Sequence, residues 1–213
     1  MIKKILISAG VIVVIAGLTL GVLLVVKHQD SAHNKAPTPV SKKLVLDHSK
    51  DYGACTVVDE TAIKSALGAG AANLQKPVDA GITSDRYFGD GVKNVTSDTQ
   101  TCVYPFAPGA SSDQKLVGAN GLTIKVTKYT NPEGPKAVIE QSKKDPTAVI
   151  VPSLGDAAFY TTNTSIEGPD AAASFTLLVF KNNESTSYAI IQPAKQATFT
   201  VESAKTALLT LAK

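Results

Sequence analysis

The stretch Ser174-Phe-Thr-Leu-Leu-Val-Phe-Lys-Asn-Asn-Glu-Ser-Thr-Ser-Tyr-Ala-Ile-Ile-Gln192 decides the fold. Its two halves, 174–181 and 185–192, are rich in β-branched and aromatic residues, and the polar run 181–184 joins them. Two such segments linked by a short polar turn are typical of an antiparallel β-hairpin. We therefore predict two neighbouring strands here, against which the rest of the domain is arranged.

Further strand patterns lie upstream of this hairpin. Alternating apolar and polar residues predict a half-buried strand over 122–129. Shorter β-rich runs predict strands over 101–106, 147–151 and 156–162. The Gly- and Asp-rich stretch that precedes residue 101 is expected to be irregular.

Three helices are expected between and around the strands. The first is capped by Asp59 and should run to about Ala69, the second covers 135–144, and the last begins at Thr198 or Thr200. The resulting order is helix, strands, helix, strands, helix. This order predicts an α+β fold in which an antiparallel sheet packs against helices.

The N-terminal region contains an uncharged run over 5–26, which is 22 residues (26 − 5 + 1). As a helix it would be about 33 Å long, enough for a bilayer core of about 30 Å. A cleaved signal peptide usually has a shorter apolar region and a small-x-small cleavage site, and no convincing site follows Val26. We therefore expect an uncleaved, single-pass transmembrane signal anchor, with residues 1–4 as a cytoplasmic tail.

The remaining chain divides into a linker over 27–51 and an extracytoplasmic α+β domain over 52–213. The linker is polar and contains Pro37 and Pro39, a composition that favours a flexible spacer. Charge follows the same division: residues 1–52 hold seven Lys and three Asp (+4), and residues 53–213 hold fourteen basic and fifteen acidic residues (−1). Because the domain is not basic and has no Trp, we expect no nucleic-acid partner.

Cys55 and Cys102 are the only cysteines, and both follow the predicted membrane span. Thiols of exported proteins tend to oxidise, which favours a structural disulfide between them. The alternative is a redox or metal site. A redox pair is normally Cys-x-x-Cys and a zinc site needs three or four ligands, and the sequence has neither pattern.

The expected domain lacks the residues of the common catalytic systems. His28, His33 and His48 all precede its first helix, so no histidine could serve as a general base within it. We predict no catalytic residues, no metal site and no cofactor. The turn at Gly155 and Asp156 has two interpretations, a turn that starts the next strand or a ligand site.

The predicted span contains Gly17 and Gly21, a Gly-x-x-x-Gly pair. Small residues at this spacing let two transmembrane helices approach closely, which would give a weak homodimer through a seam at these two glycines. Glycine is also common in transmembrane helices without any role in association. The sequence therefore leaves both a homodimer and a monomer open.

The motifs taken together resemble a known family. Cys55-Thr-Val-Val, a helix ending at Leu67-Gly68, Cys102-Val-Tyr and Leu154-Gly155-Asp156-Ala-Ala occur in this order before a Leu/Ala-rich last helix. This pattern resembles small actinobacterial cell-envelope proteins, mostly lipoproteins, that share a domain of unknown function. Two departures are the missing lipoprotein cysteine, replaced by a membrane span, and Ser153, where the family usually has Gly.

The resemblance implies a disulfide-tied α+β domain of the bacterial cell envelope and supplies no reaction. We expect a non-enzymatic binding or accessory domain whose partner is an envelope protein, a lipid or a glycan. A small-ligand sensor or carrier serving a membrane protein is the alternative, and a carboxylate-based envelope hydrolase is a third. A closed apolar cavity would favour the carrier, and an exposed apolar patch would favour protein binding.

Overall fold

Seven antiparallel strands form one sheet in the computed structural model, which describes residues 49–87, 95–107, 120–163, 172–193 and 198–213. All of these residues belong to one compact unit, Ser41–Lys213. The strands are β1 (Val78–Tyr87), β2 (Val95–Pro105), β3 (Gly121–Tyr129), β4 (Val149–Ile150), β5 (Ala157–Asn163), β6 (Ala172–Lys181) and β7 (Glu184–Pro193). The described helices are α1 (Glu60–Leu67), α2 (Glu133–Lys144) and α3 (Val201–Leu211).

The sheet consists of two meanders. Strand order is β1-β2-β3-β7-β6-β5-β4, so consecutive strands are neighbours within β1–β3 and within β4–β7. The two meanders meet where β3 pairs with β7, from Gly121 opposite Ile191 to Lys128 opposite Glu184. The predicted α+β class with an antiparallel sheet is confirmed.

The hairpin predicted from 174–192 is formed by β6 and β7. Lys181 lies opposite Glu184, and Asn182 occupies the turn with a positive φ of 57°. Asparagine tolerates this left-handed conformation better than most residues with a side chain, which explains its place in the tight turn.

The expectation of an irregular region before residue 101 is wrong for 78–87 and 95–100, which form strands, and residues 88–94 lie outside the described ranges. β1 begins at Val78, and β2 begins at Val95, six residues earlier than the strand predicted to start at Thr101. The pairing of β1 with β2 shifts between Asp79 and Ile82, where Gly81 has a φ of 82° and donates its N–H to Asp79 Oδ1 at 2.8 Å. Gly and Asp thus form a β-bulge in an edge strand, a role that their composition does not distinguish from a loop.

Helix ends follow the capping residues in the sequence. Asp59 Oδ1 accepts the N–H of Ala62 at 2.8 Å and begins α1. α1 ends at Leu67, two residues before the predicted end, and continues as a 3₁₀ turn over Gly68–Ala71. Of the two predicted starts for the last helix, Thr200 is the cap, because its hydroxyl accepts the N–H of Ser203 at 3.2 Å.

The main core lies between one face of the sheet and the helices α1 and α3. α1 packs against α3, and α3 packs against β6 and β7. We call this the helix-covered face. Its largest fully buried apolar side chains, each at most 2 % exposed, are Ile63, Cys102, Tyr104, Leu122, Ile124, Leu177, Ile190 and Leu208.

α2 connects the centre of the sheet to its edge and contacts the opposite face. β3 and β4 are four strand positions apart, or about 19 Å, and a twelve-residue helix is about 18 Å long. Gly134 at the start of α2 lies so close to the sheet that an added Cβ would be 2.6 Å from Tyr129 Cδ1 and 2.8 Å from Val95 Cγ1. The absence of a side chain at Gly134 therefore allows this close approach.

The predicted signal anchor, the cytoplasmic tail and nearly all of the predicted linker lie outside the described residues, and so do Gly17 and Gly21. No helix within the described ranges has both the length and the apolar character that a membrane span requires. The anchor, its glycine seam and the predicted domain boundaries remain predictions.

Candidate functional site

The Cys55–Cys102 disulfide is present, which confirms the predicted pairing. The two Cα atoms are 5.1 Å apart, within the usual range for a disulfide. The bond joins the segment before α1 to the middle of β2, and Cys102 is fully buried in the helix-covered core. This burial and the neighbouring packing give the pair a structural role in the fold.

A buried carboxylate lies beside the disulfide on the helix-covered face. Asp98 on β2 is 0 % exposed, and its two oxygens accept hydrogen bonds from the Tyr52 hydroxyl at 2.9 Å and the Ser84 hydroxyl at 2.5 Å. Tyr52 lies in the segment that leads to α1, whereas Ser84 lies on β1. We call these three residues the Asp98 cluster. It attaches the first described segment of the chain to the edge of the sheet.

Gln100 extends this attachment along β2. Its Oε1 accepts the backbone N–H groups of Tyr52 at 2.8 Å and Ala54 at 3.2 Å, and its Nε2 donates to Asp79 Oδ2 at 2.9 Å. Asp51 accepts the N–H of Gly53 at 2.7 Å, and this hydrogen bond, with a smaller effect of Gln100, lowers the pKa of Asp51. The segment 51–54 is thus held by backbone hydrogen bonds to side chains, without belonging to a strand.

The carboxylates in these positions stabilise the fold through hydrogen bonds. Asp59 caps α1, buried Asp98 accepts the hydroxyls of Tyr52 and Ser84, and Asp79 holds both the bulge and Gln100. Within the described ranges no group of three or more His, Cys, Asp or Glu residues could hold a metal ion. The three histidines considered in the sequence lie outside these ranges.

Two core tyrosines connect the helix side of the molecule to the sheet. The Tyr160 hydroxyl donates to Val201 O at 2.9 Å at the start of α3, and the Tyr104 hydroxyl donates to Cys55 O at 2.9 Å. Burial, with a smaller contribution from the Glu202 carboxylate, raises the pKa of Tyr160 to about 12. Burial also raises the pKa of Tyr104, with a smaller contribution from Glu60. Both hydroxyls therefore stay protonated donors at neutral pH.

Gly155 and Asp156 hold the turn before β5 against the β6–β7 hairpin. The N–H of Asp156 donates to Phe180 O at 2.7 Å, and Asp156 Oδ2 accepts the N–H of Asn182 at 2.5 Å. Gly155 has a φ of 62°, and Ser153 two residues earlier also has a positive φ, of 64°. The turn before β5 is therefore attached to the hairpin by hydrogen bonds. A ligand role for Gly155 and Asp156 remains a prediction.

Replacing Gly155 with Ala should lower the free energy of unfolding by about 2–3 kcal/mol. The new Cβ would lie 2.3 Å from Phe180 O, a backbone atom that cannot move without disturbing the hairpin. Urea denaturation followed by circular dichroism measures the change. Gly81→Ala is the matched control, because Gly81 also has a positive φ but its Cβ would meet nothing within 4 Å. Equal losses in the two variants would contradict the close-approach explanation.

A small cavity lies on the helix-covered face at one end of the sheet. It has a volume of about 150 Å³. We call it the sheet-end cavity, and it is lined by Ala69, Gly70, Asn73, Phe106, Asn120, Gln192, Thr198 and Phe199. These residues come from the 3₁₀ turn after α1, the ends of β2 and β7, the start of β3 and the residues before α3. Five separate parts of the chain therefore meet around it.

The wall of the cavity is fixed by Gln192, Phe199 and Gly70. Gln192 is 2 % exposed, and its amide accepts the N–H of Phe199 at 2.9 Å and donates to Phe199 O at 2.8 Å. The Phe199 ring packs 6.0 Å from that of Phe106, centroid to centroid. An added Cβ on Gly70 would lie 2.1 Å from Phe199 Cζ, so Gly70 provides the space for the ring.

The polar groups of the cavity are neutral. None of the described lining residues carries a charge. The side-chain amides of Asn73 and Asn120 have no hydrogen-bond partner among the described residues, unlike the Gln192 amide. Each free amide offers two donors and one acceptor oxygen. The cavity thus presents uncharged donors and acceptors next to a rigid aromatic wall.

Gly70→Ala should lower the free energy of unfolding by about 2 kcal/mol, because the added methyl group overlaps the Phe199 ring. Thermal unfolding followed by circular dichroism measures this loss. Ala69→Ser is the control, since Ala69 is the exposed neighbour in the same 3₁₀ turn and its replacement should change stability by less than about 0.5 kcal/mol. A Gly70→Ala protein as stable as the parent would contradict the tight contact with Phe199.

Exposed apolar side chains occur at the β4 edge. Val149 is 50 % exposed and Ile150 is 65 % exposed. β4 has only two residues, and Pro152 follows it closely, so little free backbone is available for pairing with another strand. Alternation also places the two side chains on opposite faces of the sheet. They do not form one apolar patch.

Comparisons with protein-family models, with curated proteins and with solved structures found no match to this chain. The resemblance to actinobacterial envelope proteins therefore remains a prediction. The functional interpretation depends on the geometry of the described residues alone.

The sequence patterns predicted neither the cavity nor the Asp98 cluster. Gln192 was predicted only as the last residue of a strand. One signal was available: Gln192 follows Tyr188 and Ile190 at the two-residue spacing of inward-facing positions on β7. A polar residue at a predicted core position indicates a specific hydrogen-bond partner.

Proposed function

We propose that this protein is a non-enzymatic binding domain, held at the outer side of the cytoplasmic membrane by an anchor over 5–26 and carrying its ligand site in the sheet-end cavity. In this arrangement the domain presents a binding site to the cell envelope. It performs no bond-breaking step of its own.

The observation that carries the proposal is the separation between the attachment point and the cavity along β2. The first described segment is bound to β2 at Asp98 and Gln100, whereas the cavity involves Phe106, just beyond the other end of the strand. The six residues from Gln100 to Phe106 correspond to about 20 Å of extended chain. The cavity and the point at which the first described segment is attached therefore lie towards different ends of β2.

A sensor for a small ligand is the second candidate function, and the cavity volume supports it over a lipid carrier. About 150 Å³ is well below the roughly 300–1,000 Å³ of sites for drug-sized ligands. A lipid chain would also leave the free amides of Asn73 and Asn120 without partners. A sensor would use the same cavity and then report to a membrane partner.

Membrane attachment is tested on the protein in its native membranes. N-terminal sequencing of the membrane-bound protein should give the intact start, and alkaline extraction should leave the protein in the pellet. Protease added to intact cells without their outer layers should digest the domain. A mature N-terminus beyond residue 26, or a domain protected from protease, would contradict an outward-facing anchored protein.

The binding role is tested by photo-crosslinking in intact membranes. A photoreactive residue at Ala69, an exposed position on the cavity wall, should give a defined adduct. The matched control places the same residue at Gln141, which is exposed on α2 on the other side of the sheet. Equal adducts at both positions, or none at Ala69, would argue against the cavity as the place where a macromolecular partner binds.

A further inference from the structure

The geometry points to a neutral sugar as the ligand of the sheet-end cavity, held as a single pyranose ring by the side-chain amides of Asn73 and Asn120. This inference rests on the binding function proposed above and names its ligand class. Three properties of the cavity carry it: its volume, the absence of charge from its described lining, and two side-chain amides that have no hydrogen-bond partner among the described residues.

The volume matches one six-membered ring. An apolar cavity of about 150 Å³ is known to hold a benzene molecule, and the sheet-end cavity has about the same volume. Water alone would fill it with about five molecules at roughly 30 Å³ each. A ring that carries hydroxyl groups replaces these waters and keeps their hydrogen-bonding positions, which an apolar ring does not.

The described lining offers no opposite charge to a metabolite that carries phosphate, carboxylate or ammonium groups. An ion placed in a confined site without an opposite charge loses hydration energy that nothing there replaces. The described lining consists of amides, one hydroxyl, two aromatic rings, Ala and Gly. A neutral ligand therefore fits this lining better than an ionic one.

The two amides match adjacent hydroxyl groups. A carboxamide can accept a hydrogen bond at its oxygen and donate one from its nitrogen, and neighbouring sugar hydroxyls offer both functions at once. Asn120 is half-buried just before β3 and Asn73 is exposed, so one amide lies deep and the other lies at the rim. Because Asn73 lies at the rim, a longer glycan can extend from the bound ring into solvent.

The wall is rigid before any ligand binds. Gln192 holds the backbone of Phe199 with two hydrogen bonds, and the ring of Phe199 fits against Gly70. A site formed in advance avoids the cost of ordering side chains on binding. The structure therefore assigns recognition to the two asparagines and support to Gln192 and Phe199.

Nuclear magnetic resonance of the full chain in detergent micelles tests this inference. Glucose and N-acetylglucosamine are the probes, with cyclohexanol as the ring without multiple hydroxyls and inorganic phosphate as the anion. The side-chain NH₂ signals of Asn73 and Asn120 should shift saturably with either sugar, at millimolar concentrations. Cyclohexanol and phosphate should leave them unchanged.

Asn120→Ala should weaken sugar binding about fivefold through the loss of hydrogen bonds. Gln141→Ala, which removes an exposed amide on α2, should leave the affinity unchanged. Saturable binding of phosphate or cyclohexanol instead of the sugars would overturn the assignment, and so would equal effects of the two variants.

The outcomes of this test and of the crosslinking test can be told apart. An adduct at Ala69 without any response to sugar would overturn the ligand class and leave the binding function standing. A sugar response without an adduct would support the sugar site and remove the macromolecular partner from the proposed function. If there were neither an adduct at Ala69 nor a response to sugar, both proposals would be overturned.

Discussion

Replacing Cys55 and Cys102 with alanine is expected to lower the free energy of unfolding by about 4 kcal/mol. The two residues are 47 positions apart, and a cross-link over a loop of this size restricts the unfolded chain by about that amount in the chain-entropy model. The native contacts change little, because alanine retains the Cβ atoms of both positions. Urea denaturation of the double variant measures the loss.

The control is reduction of the parent protein. Dithiothreitol should lower the stability of the parent to about that of the alanine variant, and it should have no effect on the variant itself. The comparison separates the stability contributed by the cross-link from the stability contributed by the packing of the fully buried Cys102 side chain. A loss of less than about 1 kcal/mol in the double variant would mean that the unfolded chain is already compact around this loop.

Asp98→Ala is expected to cost about 3–4 kcal/mol. The carboxylate is 0 % exposed and accepts hydrogen bonds from Tyr52 and Ser84, and a bond to a charged acceptor contributes about 1.5–3 kcal/mol. Removal of Asp98 takes this acceptor from both hydroxyls and leaves the fully buried position of the carboxylate unfilled. The loss should appear as a lower urea midpoint with the slope of the transition unchanged.

Two comparisons show whether the cluster itself is responsible. Asp85→Ala removes an exposed carboxylate from β1 and should cost less than about 0.5 kcal/mol. Tyr52→Phe removes one hydroxyl donor, and combining it with Asp98→Ala should give a loss smaller than the sum of the two. If the Asp98 and Asp85 variants were equally stable, or the Tyr52 and Asp98 effects simply added, the cluster would not be a coupled unit.

The strands that pack one face against the helices were predictable from the sequence. β6 and β7 alternate between buried and more exposed positions, and this two-residue period is present in the amino-acid pattern. β3 has the same apolar–polar period in its sequence, although residues 121–124 are all buried. β1 has no such pattern, because its Thr83 and Asp85 are exposed at the sheet edge and Gly81 forms a bulge. The pairing of β1 with β2 depends on tertiary structure, which the local sequence pattern of β1 does not indicate.

The disulfide was also predictable, since two cysteines allow only one pairing. The sheet-end cavity was not. Gly70, Phe106, Gln192 and Phe199 meet there although more than a hundred residues separate the first from the last. Each has an ordinary local explanation as a helix end, a strand residue or a residue before a helix. Only the packing of α1 and α3 on the sheet brings them around one space.

The pairing of β3 with β7 has a consequence for the order in which the chain folds. β1, β2, β3 and both cysteines precede residue 130, so the first meander and its disulfide can form from local connections early in synthesis. β7 is made about sixty residues later. Until then β3 has an open edge of nine residues, Gly121–Tyr129, with alternating apolar and polar side chains. An unpaired edge of this kind is a template for aggregation. If synthesis of the second half were delayed, aggregation would therefore be expected to begin at the open edge of β3.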